Sequence, residues 1–294
     1  MVKGYFENSS NFMKLFVILI IVFACALMGL FASTIYLLIF KSGSTVSNTQ
    51  ALLFLQNGFL FVLSPFIAQY FLWKAPLKEC LLFRTPASSV LLWGILAMMF
   101  ISPFVNVLAM WNKGMHLPEC MHAVEQWMIQ SEQEAETVTK LLLADNTLTG
   151  FIVNIIVIAI MAGVGEELVF RGVLQKFFIG WTKNVHAGIL ISAFIFSAVH
   201  MQFFGFLPRF ALGALLGYMF LWSGSIWVPI IAHSFNNAMV VILSSALIKQ
   251  DSGIVETLNG ENPPIWTGVI SLILVCFFMY KLKTRSKKRE VSQE

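Results

Sequence analysis

Long apolar segments, separated by shorter polar ones, follow one another along most of the chain. A helix needs about 20 mostly apolar residues to cross a hydrocarbon core ~30 Å thick. Eight segments come close to that length, at about residues 12–40, 52–73, 87–110, 148–170, 187–204, 207–222, 226–248 and 265–282. The sequence therefore predicts an all-α fold, a polytopic transmembrane helical bundle of about eight spans.

The longest polar segment, 111–147, interrupts this series after the third predicted span. Its apolar residues recur at the spacing of one helix face, namely Val124, Trp127, Met128, Val138, Leu141 and Leu142. This spacing predicts an amphipathic helix lying on the outer membrane face. We favour a connector as its role, and a lid or docking site is the alternative.

We divide the chain into three regions on this pattern. Residues 1–149 contain the N-terminal spans together with the polar loop 111–147. Residues 150–248 hold the polar residues that lie inside apolar segments, and are the candidate functional core. Residues 249–294 contain the last span and a basic tail.

Composition and charge support membrane insertion and indicate an orientation. The chain is 58% hydrophobic and 12% charged, whereas soluble domains are about 25% charged. If both termini lie in the cytoplasm, thirteen Lys and Arg residues lie inside and five outside. This bias follows the positive-inside rule and predicts cytoplasmic termini. We expect the basic tail to contact anionic membrane lipids and not nucleic acid.

Three ionisable residues lie close together in one apolar segment: Glu166, Glu167 and Arg171. Such side chains cost roughly 2.5–3.5 kcal/mol each at membrane depth, so they must pair, face water or act. Glu167 and Arg171 are four residues apart and can pair on one helix face. Glu166 is rotated by about 100° from Glu167 and can point into a cavity as a general base. The alternative, an ion-pair staple between helices, explains Glu167 and Arg171 but not Glu166.

Two later apolar segments add His200 and then His233 with Asn237. His233 and Asn237 are four residues apart, so they project from one face. Both can donate hydrogen bonds to a developing oxyanion. The alternative is a structural role, since polar side chains commonly join helices in membrane bundles. Gly213 and Gly217 form a small-xxx-small pattern that predicts close helix packing.

The same residues leave two kinds of chemistry open. Glu166, His200 and His233 could complete a His₂Glu zinc site, or could activate water without a metal. No HExxH motif is present, and we favour the metal-free interpretation with no cofactor. In straight helices rising ~1.5 Å per residue, Glu166 would lie ~24 Å from Gly150 and so toward the cytoplasmic side. His200 would lie ~20 Å from His186 and His233 ~12 Å from Ser225, both measured from the cytoplasmic side. Straight spans with these boundaries therefore leave the three residues at different depths.

The motifs, taken in order, resemble those of the CAAX prenyl endopeptidase / bacteriocin-processing (CPBP, Abi) family of intramembrane proteases. The resemblance rests on short motifs within about residues 150–245. These motifs are Glu166-Glu167-xxx-Arg171, Phe196-xxx-His200, Phe210-xx-Gly213-xxx-Gly217 and His233-xxx-Asn237. Residues 1–149 carry no recognised motif.

The resemblance implies a helical membrane core that hydrolyses a peptide bond. Glu166 and His200 would activate the water, His233 and Asn237 would bind the oxyanion, and Glu167 and Arg171 would support them. The resemblance does not imply the substrate, which we expect to be a membrane-associated or lipidated peptide or protein. The breadth of the family favours a bacterial cell membrane, or the endoplasmic reticulum if the source is eukaryotic.

Two other function classes remain open on the sequence. The chain could be a catalytically inactive membrane scaffold or a bacteriocin-immunity protein that keeps the polar core for packing. A transporter is less favoured, because the repeated halves with broken helices that are typical of transporters are not seen in the sequence. Neither the sequence nor the resemblance indicates an oligomeric state.

Overall fold

The computed structural model describes residues 3–40, 45–145, 147–249 and 263–291. Within them, all regular elements are helical, which confirms the predicted all-α fold. Residues 250–262 and 292–294, parts of the predicted region 249–294, lie outside the described residues. The main helices are α1 (Asn11–Ile39), α2 (Thr45–Leu72), α3 (Leu77–Cys80), α4 (Ser88–Phe100), α5 (Ser102–Lys113), α6 (His122–Leu143), α7 (Leu148–Thr182), α8 (Val185–Ala198), α9 (Phe206–Ser223), α10 (Trp227–Lys249) and α11 (Ile265–Val291).

Six of these helices are long and apolar enough to cross a membrane, and a seventh span results if α4 and α5 are counted together. Those two helices meet at a bend of 41°. Pro103 lies in the first turn of α5, where its ring removes a backbone donor and disfavours a continuous helix through this point. The predicted segment 87–110 is therefore two helices that meet at an angle and not one straight span. The protein is a polytopic membrane protein as predicted.

Two predicted spans end at other residues than expected. Helix α8 has only 14 residues and ends at Ala198, so the predicted segment 187–204 is wrong at its C-terminal end. Met201 adopts a φ of 55°, a left-handed conformation that stops a right-handed helix. Helix α7 continues 12 residues beyond the predicted limit of 170, to Thr182.

The amphipathic helix predicted within 111–147 is present as α6, with 22 residues. Its apolar residues Val124, Trp127 and Val138 are exposed, whereas Leu142 and Leu143 at its end are buried. The Trp127 ring contacts Phe203 at a centroid distance of 5.2 Å, which places this helix against the turn between α8 and α9. Its position relative to the membrane stays a prediction.

Two large hydrophobic clusters form the core. One joins α1, α2 and α7 and also includes Phe196 of α8. The other joins α4, α9, α10 and α11. The regions 1–149 and 150–248 both contribute to each cluster, so the N-terminal helices support the part of the chain that carries the polar motifs.

Helix α7 widens on both sides of the acidic pair. π-helical segments occupy Ile155–Met161 and Leu168–Gln175, and a short α-helical stretch, Ala162–Glu167, lies between them. A third π-helical segment, Gly58–Leu63, lies in α2. Such segments are rare and frequently occur at functional sites.

Glycines bring α7 unusually close to its neighbours at the acidic pair. A β-carbon at Gly163 would lie 2.9 Å from the backbone nitrogen of Ser234 in α10. A β-carbon at Gly165 would lie 2.7 Å from Cβ of Phe61 in α2. Both approaches are too short for any larger residue without movement of the neighbouring helix.

We expect Gly163→Ala to destabilise the protein by about 1–3 kcal/mol, because a backbone atom of α10 cannot move aside cheaply. Gly180→Ala in the same helix is the matched control, since nothing lies within 4 Å of the added carbon. Alanine is the better helix former by about 1 kcal/mol, so the control should not lose stability. Thermal melting in detergent measures both, and equal melting temperatures would contradict the close approach.

Candidate active site

Glu167 and Arg171 form a buried ion pair. Arg171 Nη1 donates to Glu167 Oε1 at 2.7 Å, and the side chains are 1% and 0% exposed, respectively. Arg171 Nη2 also donates to the carbonyl oxygen of Gly213 at 2.8 Å. The guanidinium carbon lies 4.9 Å from the centre of the Phe196 ring. The pair that the spacing predicts is therefore present, and it ties α7 to both α8 and α9.

His233 connects this pair to Glu166. Its Nδ1 lies 2.8 Å from Glu167 Oε1, and because a carboxylate oxygen accepts, Nδ1 is the donor. Its Nε2 lies 3.9 Å from Glu166 Oε2. Glu167 thus holds Arg171 and His233 together and fixes the ring between the two glutamates. Sequence reasoning assigned Glu167 to Arg171 alone, since helical spacing cannot reveal a contact 66 residues away.

His200 lies in the turn after α8 and not inside a helix. Its Nδ1 lies 2.7 Å from the carbonyl oxygen of Phe196. A carbonyl only accepts, so Nδ1 carries the hydrogen and Nε2 of the neutral ring is left as an acceptor. The His200 ring and that of His233 both pack against Phe196. The two histidines and Arg171 therefore form one cluster around Phe196, and His233 connects this cluster to Glu166.

Phe196 was part of the recognised motif, but sequence reasoning gave it no role. Its ring centroid lies 5.0 Å from that of His200 and 5.9 Å from that of His233. It also lies under the Arg171 guanidinium. The Phe196 ring thus contacts His200, His233 and Arg171, and the carbonyl oxygen of the same residue accepts a hydrogen bond from His200.

The turn that carries His200 is held from the N-terminal region. Buried Asn112 of α5 donates through Nδ2 to the carbonyl oxygen of Phe203 at 3.0 Å. Its Oδ1 accepts from the backbone N–H of Leu207 at 2.7 Å. Arg209 adds hydrogen bonds to the backbone and side chain of Gln202. No local motif marks Asn112, so the sequence offered no signal for this role.

Glu166 and Asn237 line one cavity of about 280 Å³. Asn237 Nδ2 donates to the carbonyl oxygen of Ile158 at 3.3 Å, which leaves one N–H of the amide for another acceptor. Asn57 of α2 is the other polar side chain in the wall. The rest of the wall is apolar: Leu53, Val157, Ile158, Ala162 and Val240.

The separation in depth expected for straight spans is wrong. Glu166 and His233 lie within 4 Å of each other, and Asn237 shares the cavity of Glu166. Two features break the assumption of straight, regular spans. Helix α7 contains π-helical segments on both sides of Glu166, and His200 lies in a turn beyond the end of α8.

Gly213 and Gly217 lie where α9 approaches α8 and α7. A β-carbon at Gly213 would lie 3.2 Å from Ala193 Cα, and one at Gly217 would lie 2.8 Å from Ile189 Cγ2. Their carbonyls accept hydrogen bonds from α7, that of Gly213 from Arg171 and that of Gly217 from a buried glutamine at 3.1 Å. The glycines therefore permit both the close packing and the anchoring of Arg171.

The three candidate zinc ligands are Glu166, His200 and His233. Among the residues that the structure describes, no three His, Cys, Asp or Glu side chains are arranged to hold a metal ion. One nitrogen of His233 is also committed to Glu167. Whether the chemistry uses a metal stays a prediction.

The segment that carries these motifs is similar to a known protein family. Residues 148–239 match the family model of the type II CAAX prenyl endopeptidases, Rce1-like. The uncharacterized protein YpbD of Bacillus subtilis (strain 168) is 33% identical over 90 residues, which are 29% of this chain and 43% of YpbD. YdiL of the same organism, named as a proposed membrane peptidase, is 36% identical over 89 residues, which are 30% of this chain and 36% of YdiL. No solved structure matches the chain.

The family match covers the candidate site and little else. The chain spans less than half the length of either curated relative, and the family match begins at the start of α7. All the candidate catalytic and supporting residues fall inside the matched segment. The resemblance to the CAAX prenyl endopeptidase / bacteriocin-processing family is thereby confirmed for residues 148–239, which match the Rce1-like family model.

Proposed function

We propose that the chain is an intramembrane endopeptidase that hydrolyses a peptide bond with water activated by Glu166 and His200. One observation supports this most directly. Of the two adjacent glutamates, Glu167 is fully buried and committed to Arg171 and His233, while Glu166 lines a cavity. An ion pair that only joins helices would not require a second carboxylate, that of Glu166, in the cavity wall.

The proposed chemistry gives a role to Glu166, His200 and Asn237. Glu166 takes a proton from the water, which is oriented by a hydrogen bond to Nε2 of His200. The oxygen attacks the carbonyl carbon, and the negative charge passes to the carbonyl oxygen. Asn237 donates its second N–H to that oxyanion. As the intermediate collapses, Glu166 returns the proton to the leaving amine.

His233 can stabilise the same oxyanion only in a particular protonation state. Its Nδ1–H is directed at Glu167, so donation from Nε2 requires the imidazolium form. Hydrogen-bond donors that are already oriented before the negative charge develops stabilise the transition state strongly.

The proposed substrate is a membrane-associated or lipidated peptide or protein, as for a CAAX-type endopeptidase. The cavity wall is mostly apolar, and Ile160 and Val240 beside it are exposed on the outside of the bundle. In a membrane such surfaces contact lipid. A substrate that is already in the bilayer therefore has the shortest route to Glu166.

The alternative is an inactive scaffold or immunity protein. The fully buried network of Arg171, Glu167 and His233 favours it, because such a network would also fix the helix packing of a protein without turnover. The two candidates differ in what Glu166 does. A scaffold keeps its biological effect when Glu166 is replaced by glutamine, whereas an enzyme loses it.

The proposed location is a bacterial cell membrane with both termini in the cytoplasm. The thirteen-to-five distribution of Lys and Arg supports this orientation. Termini on the same side require an even number of membrane crossings. The six long helices, the bent pair α4–α5 and the short α8 give eight crossings if the last two also cross. Labelling of single cysteines from either side of intact cells tests it, and opposite accessibility of the two termini would contradict it.

We expect activity to survive metal removal. Elemental analysis and assay after chelation measure this directly. One bound zinc per chain, with activity lost on its removal and restored by its return, would contradict the metal-free mechanism. Glu166, His200 and His233 would then be the ligands to test.

Loss of a single oxyanion donor should slow the enzyme without stopping it. We expect Asn237→Ala to lower kcat by about 10²–10³, the usual effect of removing one such donor. Asn236→Ala is the comparison, because Asn236 is absent from the cavity wall and, among the described residues, donates at 3.4 Å only to Asn237 Oδ1, the atom of Asn237 that cannot donate to an oxyanion. Equal rates for the two variants would contradict the role of Asn237.

A further inference from the structure

Asn57 of α2 is a polar side chain in the cavity wall that the proposed mechanism does not use. It faces the same space as Glu166 and Asn237, but it comes from the N-terminal region, outside the matched segment. Its side chain makes no hydrogen bond to any other described residue and does not cap the π-helical segment that follows it. Its amide is therefore free to bind something that enters the cavity.

An amide without a partner is costly in an apolar wall. Asn154 of α7 shows an amide that is satisfied internally: it accepts from Gln50 at 3.0 Å and donates to the carbonyl oxygen of Leu142 at 2.7 Å. Asn57 differs from Asn154 in facing a cavity beside a candidate base. A primary amide offers both a donor and an acceptor, which are the two groups that a peptide backbone presents.

Two neighbouring cavities leave a path for a bound peptide that passes Asn57. A second, largely apolar cavity of about 560 Å³ lies between α1, α2 and α7. The two cavities share Val157. Asn57 lies one helical turn from Leu53, and Phe54 beside Leu53 faces the larger cavity. A segment that reaches from Glu166 toward the larger cavity therefore runs along the side of α2 that carries Asn57.

We propose that Asn57 binds the main chain of the substrate next to the scissile bond and so orients the bond toward Glu166. The substrate class that fits is a peptide in extended form with a large apolar group beside the cleaved bond, which the 560 Å³ cavity accommodates. This inference rests on the proposed function and adds a substrate-binding residue to it. The N-terminal helices then supply part of the site.

The test uses the full-length protein in lipid vesicles and internally quenched peptides with apolar residues around a varied central bond. We expect Asn57→Ala to raise KM about tenfold, as for the loss of one hydrogen bond to bound substrate, with kcat changed much less. Gln56→Ala is the matched control, because Gln56 is the adjacent amide on α2 and does not line the cavity. Thermal melting of both variants shows whether the fold is kept.

A second measurement separates binding from a structural effect. Single backbone amides of the peptide are replaced by esters, which removes one N–H at a time. In the wild type, the ester at one position should lower kcat/KM about tenfold. In Asn57→Ala, the same ester should not lower kcat/KM any further. An unchanged KM, or additive losses, would overturn the role of Asn57 while Glu166-dependent cleavage stands. Absence of any cleavage by the wild type would overturn the proposed function and this inference with it.

Discussion

Glu166→Gln is expected to lower the rate of peptide hydrolysis by about 10²–10⁴ while leaving the protein folded in membranes. Glutamine keeps the size of the side chain and its ability to form hydrogen bonds, but it cannot take a proton from water. Glu166 is not part of the buried pair, which Glu167 forms with Arg171 at 2.7 Å. Its replacement should therefore remove the base without loosening the helices.

Glu167→Gln is the informative comparison, because it changes the adjacent carboxylate in the same way. Glu167 holds both Arg171 and His233, and it is 0% exposed. This variant should lose stability as well as activity, and Glu166→Gln should lose activity alone. Rates in a peptide-release assay and melting temperatures in detergent distinguish them. Full activity of Glu166→Gln, or its failure to fold, would contradict the assignment.

Arg171→Leu is expected to destabilise the protein by about 3–5 kcal/mol, because it leaves an uncompensated buried carboxylate. Arg171 is 1% exposed and also donates to the carbonyl oxygen of Gly213 and lies against Phe196. Leucine replaces none of these polar contacts. The loss should appear as a lower melting temperature in detergent before any effect on the chemistry is considered.

Lys140→Leu provides a control matched in geometry. Lys140 and Glu136 are also four residues apart on one helix, and their charged atoms are also 2.7 Å apart. Their side chains are 74% and 58% exposed, so water solvates the remaining charge and little stability should be lost. A similar loss in both variants would show that burial is not what makes Arg171 important.

The sequence predicts the helical architecture and the local pairing well, because both depend on short-range patterns. Apolar length locates the spans, and four-residue spacing locates the Glu167–Arg171 pair. Helix ends are harder to predict, since the turn at Met201 depends on one backbone conformation that composition does not signal. The pattern of apolar residues also gives no indication of the π-helical segments in α7.

The long-range contacts of the candidate site could not be read from the sequence. The link from Glu167 to His233 joins residues 66 apart, and Asn112 reaches the turn after His200 from α5. No spacing in the sequence predicts either contact, because each depends on how whole helices pack against one another. Asn57 was missed for the same reason. The motif resemblance identified the site residues of 148–239, but it gives no information on residues that lie outside the matched segment.

The proposed hydrolysis of peptide bonds by water activated at Glu166 can be measured directly. Peptides are incubated in oxygen-18 water with the purified protein in lipid vesicles, with Glu166→Gln in parallel, and are analysed by mass spectrometry. We expect new peptide termini with the wild type only, each new carboxylate carrying one labelled oxygen because water attacks the carbonyl carbon. Absence of cleavage by folded wild-type protein, or equal labelled cleavage by Glu166→Gln, would contradict it.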